Sequence, residues 1–253
     1  PEILHKSIKS NTRLLWIETP SNPLLKISDI KSLATIAKNH KLMVACDSTF
    51  ATPVFQQGLL LGADIVMHSS TKYISGHSDI LGGILITKEK NDFWERIKNV
   101  QRLAGAVPSP IDCYYLTRSI KTLPYRMKAH AANAREIAEF LNNKKEVEKV
   151  FYPGLEDHEG YETAKSQMSD FGAMLSFLIK GNIKNADRFI GELKYFSDAT
   201  SLGGVESLIE RRSKVQGPDS GISDQLIRMS VGIENCEDLI HDLDQAFLAA
   251  FKN

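Results

Sequence analysis

Leu42-Met43-Val44-Ala45-Cys46 is apolar at every position and stops at Asp47. A strand that faces water on one side alternates apolar and polar residues, so a run with no alternation needs cover on both faces. Two further runs behave in the same way. Leu14-Leu15-Trp16-Ile17-Glu18 ends in the loop Thr19-Pro20-Ser21-Asn22-Pro23, and Ala63-Asp64-Ile65-Val66-Met67 leads towards Ser69-Ser70-Thr71-Lys72. Between the first two strands, Ile30, Leu33, Ile36 and Ala37 fall at helical spacing behind Ser28, which can cap the helix. A glycine-bounded run, Ile84-Leu85-Ile86, adds another strand. Strand, helix and strand in repetition predict an α/β fold with a largely parallel sheet.

The second half of the chain changes character. Pro110 to Leu123 and Tyr125 to Asn142 are helical patterns broken by Pro124. Strands are predicted at Val147–Tyr152, Met174–Ile179 and Leu226–Val231, with helices at Asn185–Leu193 and Cys236–Phe251. This reads as a smaller α+β domain over residues 122–253, joined to the remainder of a large domain over residues 1–121. The charged stretch from Glu210 through Arg211, Arg212 and Lys214 to Gly221 reads as a solvated loop.

Several function classes are disfavoured by composition. Lys plus Arg and Asp plus Glu each number 31, so there is no general electrostatic footprint for nucleic acid or a membrane surface. No apolar run approaches the roughly 20 residues of a membrane span. Cys46, Cys113 and Cys236 lie far apart in apolar or helical patterns and read as reduced, packed thiols of a cytoplasmic protein. The histidines and cysteines show no metal-ligand spacing.

In open α/β sheets, ligands bind beyond the carboxyl ends of the strands. Asn22, Asp47 and the Ser69–Lys72 cluster each follow a predicted strand, so the topology brings them to one edge. Lys72 sits among small hydroxyl residues at the end of a buried strand. That setting suits an amine held partly desolvated beside an anion, the state in which lysine forms Schiff bases with carbonyl cofactors such as pyridoxal phosphate. Asp47 has two readings: a turn cap through Thr49, or a carboxylate that keeps a pyridine nitrogen protonated. Ser69 and Thr71 offer hydroxyls either for strand-end capping or for a cofactor phosphate. His68 and His77 read as packed or supporting residues. Arg228, in a strand of the second domain, suits a forked contact to a substrate carboxylate or a structural ion pair.

Taken in order, Glu18-Thr19-Pro20-Ser21-Asn22-Pro23, Asp47-Ser48-Thr49-Phe50-Ala51-Thr52-Pro53 and Ser69 to Asp79 resemble motifs of a single family, as do Ser201-Leu202-Gly203-Gly204-Val205-Glu206-Ser207-Leu208 and Arg228-Met229-Ser230-Val231-Gly232-Ile233-Glu234. It is the cystathionine γ-synthase/γ-lyase family of pyridoxal-phosphate enzymes of Cys/Met metabolism. The resemblance implies an aspartate-aminotransferase-like fold, type I among pyridoxal-phosphate enzymes. It implies Lys72 as the Schiff-base lysine, Asp47 on the pyridine nitrogen, and Ser69 and Thr71 on the phosphate. Asn22, Ser201 and Arg228 would hold the cofactor's ring oxygen and the substrate carboxylate.

The implied activity is γ-elimination or γ-replacement on a small-molecule sulfur amino acid or activated homoserine, as in cystathionine γ-lyase or γ-synthase. Methionine γ-lyase, cystathionine β-lyase and O-acetylhomoserine sulfhydrylase are the alternatives. An inactive oligomerisation domain is the non-enzyme alternative. Two departures bear on the substrate. Thr200 stands where many γ-acting members have Glu, and Arg211-Arg212 replaces the usual Met-Thr-His neighbourhood. The resemblance also implies an earlier segment, with a Gly-rich phosphate loop and a stacking tyrosine, and a homotetramer built from dimers. These 253 residues are therefore expected to be part of a longer chain.

Overall fold

A computed structural model describes residues 2–252 as an α/β fold with two mixed sheets. The first sheet has the order β1 (Leu14–Glu18), β2 (Met43–Asp47), β3 (Ile65–Ser69) and β4 (Gly83–Thr87). The first three strands are parallel, with Leu14 opposite Met43 and Ala45 opposite Ile65. β4 runs antiparallel to β3, with Ile65 opposite Thr87, so parallel pairing stops at that strand. The connection from β3 to β4 is short and carries no crossover helix, and a short connection returns a strand in the antiparallel sense.

The helix Ile30–Asn39 makes the crossover between β1 and β2. Its cap is Asp29, whose side chain accepts from the Ser32 amide at 2.9 Å. Ser28 was the expected cap; its amide instead donates to Thr19 Oγ1 at 3.0 Å. Ile30, Ala34 and Ala37 from this helix close over Ile17, Val44, Cys46 and Val66. Burying side chains of this size contributes roughly 1.5–3 kcal/mol each for the larger ones.

The second sheet has the order β5 (Val147–Phe151), β6 (Met174–Ile179), β9 (Leu226–Ser230), β8 (Leu208–Arg211) and β7 (Ser197–Asp198). All its pairs are antiparallel except β7 with β8. Neither β7 nor β8 was expected. The long helix Leu123–Asn142 lays Leu123, Met127, Ala131, Ala134, Ala138 and Leu141 on one face, all buried. Pro124 lies in its first turn, where a missing N–H costs nothing, and a short tight turn, Ile120–Thr122, separates it from the helix Pro110–Ser119. Phe177 meets Phe189 edge-on with ring centroids 5.9 Å apart, and Phe247 completes the cluster. One continuous apolar cluster joins this core to Leu25, Phe50, Phe55, Tyr73 and Ile74 of the first half, which ties the two sheets together.

All three cysteines are free thiols. Cys46 is buried and burial raises its thiol to about 11, but Cys113 is exposed, contrary to the expectation of three packed thiols. It lies on the helix Pro110–Ser119, none of whose residues is buried. Among the described residues, no helix is long and apolar enough to cross a membrane.

His130, on the long helix, is fully buried and donates from Nδ1 to the Val231 carbonyl at 2.7 Å. Burial drives its pKa down to about 4 from 6.5, while the Val231 contact opposes the shift. Burial depresses His68 as well. Between these values the unfolded chain binds more protons than the folded one. The stabilisation is therefore complete above about pH 6.5 and is lost as pH falls towards 4. The melting temperature is expected to drop across that window, and less steeply in His130→Gln. An equally steep drop in the variant would show that other groups carry the effect.

Candidate active site

The carboxyl ends of β1, β2 and β3 open onto a cavity of about 250 Å³. Asn22, Asp47, Ser69, Lys72, Ser201 and Arg228 all contribute to its wall, as do Glu18 and Arg212. A larger cavity of about 670 Å³ lies at the opposite ends of these strands, beside Leu14, Met43 and Asp64. The convergent polar groups are at the smaller one, as expected for a sheet whose strand dipoles and loops meet ligands at the carboxyl end.

Asp47 is the last residue of β2. Its Oδ1 accepts from the Thr49 amide at 3.0 Å and from Thr49 Oγ1 at 2.6 Å. The Thr49 hydroxyl in turn accepts from the Ser69 amide at 2.9 Å, which locks the end of β2 to the end of β3. The turn-capping role is thus real, and it uses one carboxylate oxygen only. Asp47 Oδ2 and the Ser69 hydroxyl have no hydrogen-bond partner among the described residues.

Lys72 lies in a single wide helical turn, Ser70–Ile74, and interrupts it with φ −94° and ψ −135°. Its Nζ donates to Ser201 Oγ at 3.0 Å, a contact between groups 129 residues apart. Burial lowers the lysine pKa, and the nearby charge of Arg228 lowers it further, with Glu210 opposing. The turn is gripped from behind by Arg126 of the long helix. Arg126 donates from Nη1 to the Tyr73 carbonyl at 2.6 Å and from Nη2 to the Ile74 carbonyl at 3.2 Å. Gly76, at φ +69°, makes room for this grip, since a Cβ there would lie 2.2 Å from Arg126 Nη1.

The second sheet brings the other wall. Ser201 adopts φ +84°, a strained conformation for a residue with a Cβ. Gly203 follows at φ +78°, and a Cβ on it would stand 2.6 Å from the Tyr73 amide nitrogen. Only glycine lets this loop lie directly on the lysine turn. Arg228, on β9, is 4 % exposed. It donates from Nη1 to Asn22 Oδ1 at 3.2 Å and from Nη2 to the Ser201 carbonyl at 2.8 Å. It also forms an ion pair with Glu210 Oε1 at 2.6 Å, so a structural ion pair and a place on the cavity wall coexist. Burial brings the Arg228 pKa down to about 10, with Glu210 opposing, and the guanidinium stays charged near neutrality. The loop that carries Asn22 is pinned to the second sheet by Ser176 Oγ, which donates to the Pro23 carbonyl at 2.7 Å.

Not every expected residue arrives. Thr71 does not line the cavity; its hydroxyl accepts from the Gly82 amide at 3.0 Å and faces the chain leading to β4. His77 is exposed, with Nδ1 2.6 Å from the Ser75 carbonyl, whereas His68 is buried against the Ser48 carbonyl. The expected solvated run at Glu210–Arg212 is overturned. Glu210 and Arg211 belong to β8, and Glu210, Arg211 and Arg212 are all buried. The burial is possible because Glu210 stands opposite Arg228 across β8 and β9, and Arg212 reaches the same carboxylate at 2.5 Å. Sequence reading missed Arg126, Glu210 and Arg212. Gly76 was the one local sign that something packs hard against the lysine turn.

The donor set suits a cofactor that has a carbonyl carbon, an aromatic nitrogen and an anionic tail. A partly desolvated amine, an open carboxylate oxygen and a free hydroxyl stand on one cavity wall. Among the described residues no cluster of His, Cys, Asp and Glu could hold a metal ion.

Comparison with known proteins agrees with this chemistry. The family model described as "Cys/Met metabolism PLP-dependent enzyme" matches residues 1–248. Cystathionine β-lyase of Lactococcus lactis subsp. cremoris is 49% identical over 255 residues, covering 97% of this chain and 66% of that protein. Cystathionine γ-lyase of Bacillus subtilis is 49% identical over 253 residues, with coverage of 97% and 66%. L-methionine γ-lyase of Fusobacterium nucleatum subsp. nucleatum is 46% identical, with coverage of 96% and 64%. The crystal structure of metB from Corynebacterium glutamicum superposes with a TM-score of 0.93 at 42% identity, covering 98% of this chain and 65% of that one. The chain therefore spans just under two thirds of the length of these relatives. An amine, a carboxylate and a guanidinium gathered from two sheets are what pyridoxal-phosphate chemistry on an amino acid requires, and with a match along almost its whole length this chain belongs to the family of PLP-dependent enzymes of Cys/Met metabolism.

Proposed function

We propose that this chain carries the catalytic lysine and the carboxylate-binding arginine of an enzyme that eliminates or replaces the γ-substituent of a sulfur amino acid or activated homoserine. The observation that carries this reading is the contact of Lys72 Nζ with Ser201 Oγ beside Arg228, which joins proton-transfer and anion-binding groups in one cavity. The reading includes an aspartate-aminotransferase-like fold divided near residue 122, a cytoplasmic location and a tetramer of paired dimers. The two sheets and the free thiols support the first two of these.

When bound, pyridoxal phosphate supplies an electron sink for the substrate's α-carbon. The chain's residues do the rest. Lys72 would anchor the cofactor's carbonyl carbon in the resting protein. Its Nζ, with a pKa lowered by burial, would take the proton from the substrate's Cα when the amine is free, and would carry it onward. Ser201 Oγ, 3.0 Å away, fixes where that amine points. Asp47 Oδ2 would face the pyridine nitrogen and keep it protonated, since Oδ1 is committed to Thr49. The Ser69 hydroxyl is free for the phosphate, and Thr71 would join it on giving up Gly82. Asn22 would meet the ring oxygen, and Arg228 would hold the substrate's α-carboxylate.

Cystathionine γ-lyase or γ-synthase is the favoured reaction. Leu202, rather than an aromatic residue, follows Ser201, and the lysine motif continues Gly76-His77-Ser78-Asp79. By resemblance both features belong to the γ-acting branch. Methionine γ-lyase, cystathionine β-lyase and a homoserine sulfhydrylase are the competitors, and names of the first two kinds occur among the relatives. A product assay with cystathionine, methionine and O-succinylhomoserine plus cysteine separates them. The expected products from cystathionine are cysteine, a four-carbon 2-oxoacid and ammonia. Homocysteine and pyruvate as the dominant products would overturn the γ assignment.

A further inference from the structure

Glu210, Arg212 and Arg228 are 2 %, 7 % and 4 % exposed. Both guanidiniums reach the same oxygen, Glu210 Oε1, Arg212 from Nη1 at 2.5 Å and Arg228 from Nη2 at 2.6 Å. Glu210 Oε2 and Arg212 Nε are buried with no hydrogen-bond partner. Two guanidiniums and one carboxylate leave one positive charge over, in a place where an unmatched charge is costly. The other carboxylates on the cavity wall, Glu18 and Asp47, form no ion pair with either arginine among the described residues.

Three of the five N–H groups of Arg228 are engaged: Nη1 goes to Asn22 Oδ1, and Nη2 meets both the Ser201 carbonyl and Glu210. A two-pronged contact that uses Nη2 to grip an incoming carboxylate must loosen one of the last two bonds. Asn22 and the Ser201 carbonyl are neutral and can be released. Letting go of Glu210 would strand a buried carboxylate unless a second cation already held it. Arg212 is on that very oxygen, with donor capacity left over, and it also lines the cavity.

We propose that Arg212 is a positioning residue that takes over the charge of Glu210 when Arg228 turns to the substrate, so that the cluster of Glu210, Arg212 and Arg228 is balanced in charge only with one carboxylate bound. With that carboxylate present, two cations face two anions. Without Arg212, the same event would leave two anions facing one cation. The inference rests on the reading above in which Arg228 receives the substrate's α-carboxylate. It assigns a role to the Arg211-Arg212 departure, which the family resemblance left without one.

The test is calorimetric titration of the full-length, cofactor-loaded protein with 4-(methylthio)butanoate and with its uncharged amide. Neither probe has an amine, so neither reacts with the cofactor. The parent protein is expected to prefer the carboxylate roughly tenfold or more, a difference of about 1.4 kcal/mol. R212M is expected to lose most of that preference and R212K to recover it. R212M/E210Q is also expected to recover it, because removing both charges of the pair restores the single surplus cation. R212M with the parent preference would overturn the proposal. So would a double variant that folds and shows no preference, since a purely structural Arg212 predicts no rescue by losing a second charge. R228L separates the two levels of the argument. If R228L abolishes the preference while R212M keeps it, the role of Arg212 alone is wrong. If R228L keeps it, the carboxylate does not bind at Arg228, and both readings fall.

Discussion

Lys72→Ala is expected to remove the visible absorbance of the cofactor-loaded protein and to lower turnover by at least roughly 10²–10⁴-fold, the range that a positioned proton-transfer group supplies. The side chain makes one polar contact, to Ser201 Oγ at 3.0 Å, and it stands on a turn whose backbone is held independently by Arg126. Truncation should therefore leave the turn and the fold in place. The measurement is a spectrum of the full-length variant after incubation with pyridoxal phosphate, together with release of 2-oxoacid from cystathionine. A circular dichroism melt within a few degrees of the parent would show that the loss is chemical. Ordinary turnover in the variant would sink the assignment of Lys72 and, with it, the proposed function.

The second large effect is expected at Arg228. Truncating one partner of a buried, hydrogen-bonded charge pair costs about 2–5 kcal/mol, much of it from the partner left behind. Arg228→Leu should lower kcat/KM for an amino-acid substrate by roughly 30-fold to several thousand-fold on that scale. Glu210 keeps Arg212 as its counter-ion, which limits the damage to folding. Cofactor absorbance should survive, because no cofactor-anchoring amine is lost. A variant with normal kcat/KM would show that the substrate carboxylate is held elsewhere. The two variants divide the site by sheet. Loss of the band belongs to the lysine turn of the first sheet, and loss of substrate with the band intact belongs to β9 of the second.

How much of this was legible beforehand follows a physical line. β2 and β3 were readable because burial on both faces removes alternation; β1 was readable as an apolar run, but the expected cover on both its faces is not met, since Leu14 and Trp16 are exposed and only Ile17 is buried. The carboxyl ends were readable because each run stops at a polar residue. Asn22, Asp47, Ser69 and Lys72 were therefore gathered on one edge by topology alone, and they share one cavity wall in the structure. Thr71 was grouped with them by proximity in sequence, but a side chain one position from Lys72 on a helical turn faces a different way, towards Gly82. The orientation of β4 was not readable, because a short apolar run looks the same in either direction.

The sequence by itself determined the α/β class, the strand ends and the place of Lys72 just beyond one of them, since these depend on local periodicity and on residues adjacent in the chain. The tertiary structure decided everything that depends on a distant partner. A run such as Glu210-Arg211-Arg212 is polar by every local measure, and polar runs face water unless something elsewhere neutralises them. The partners come from elsewhere in the chain: Glu210 meets Arg228 through the pairing of β8 with β9, and Arg211 meets Asp187 at 2.7 Å. The grip of Arg126 on the lysine turn, the 129-residue step from Lys72 to Ser201 and the sharing of one carboxylate oxygen by two arginines are of the same kind. Each is an electrostatic or hydrogen-bonding match that exists only after folding has brought its two halves together, and no periodicity in the chain records it.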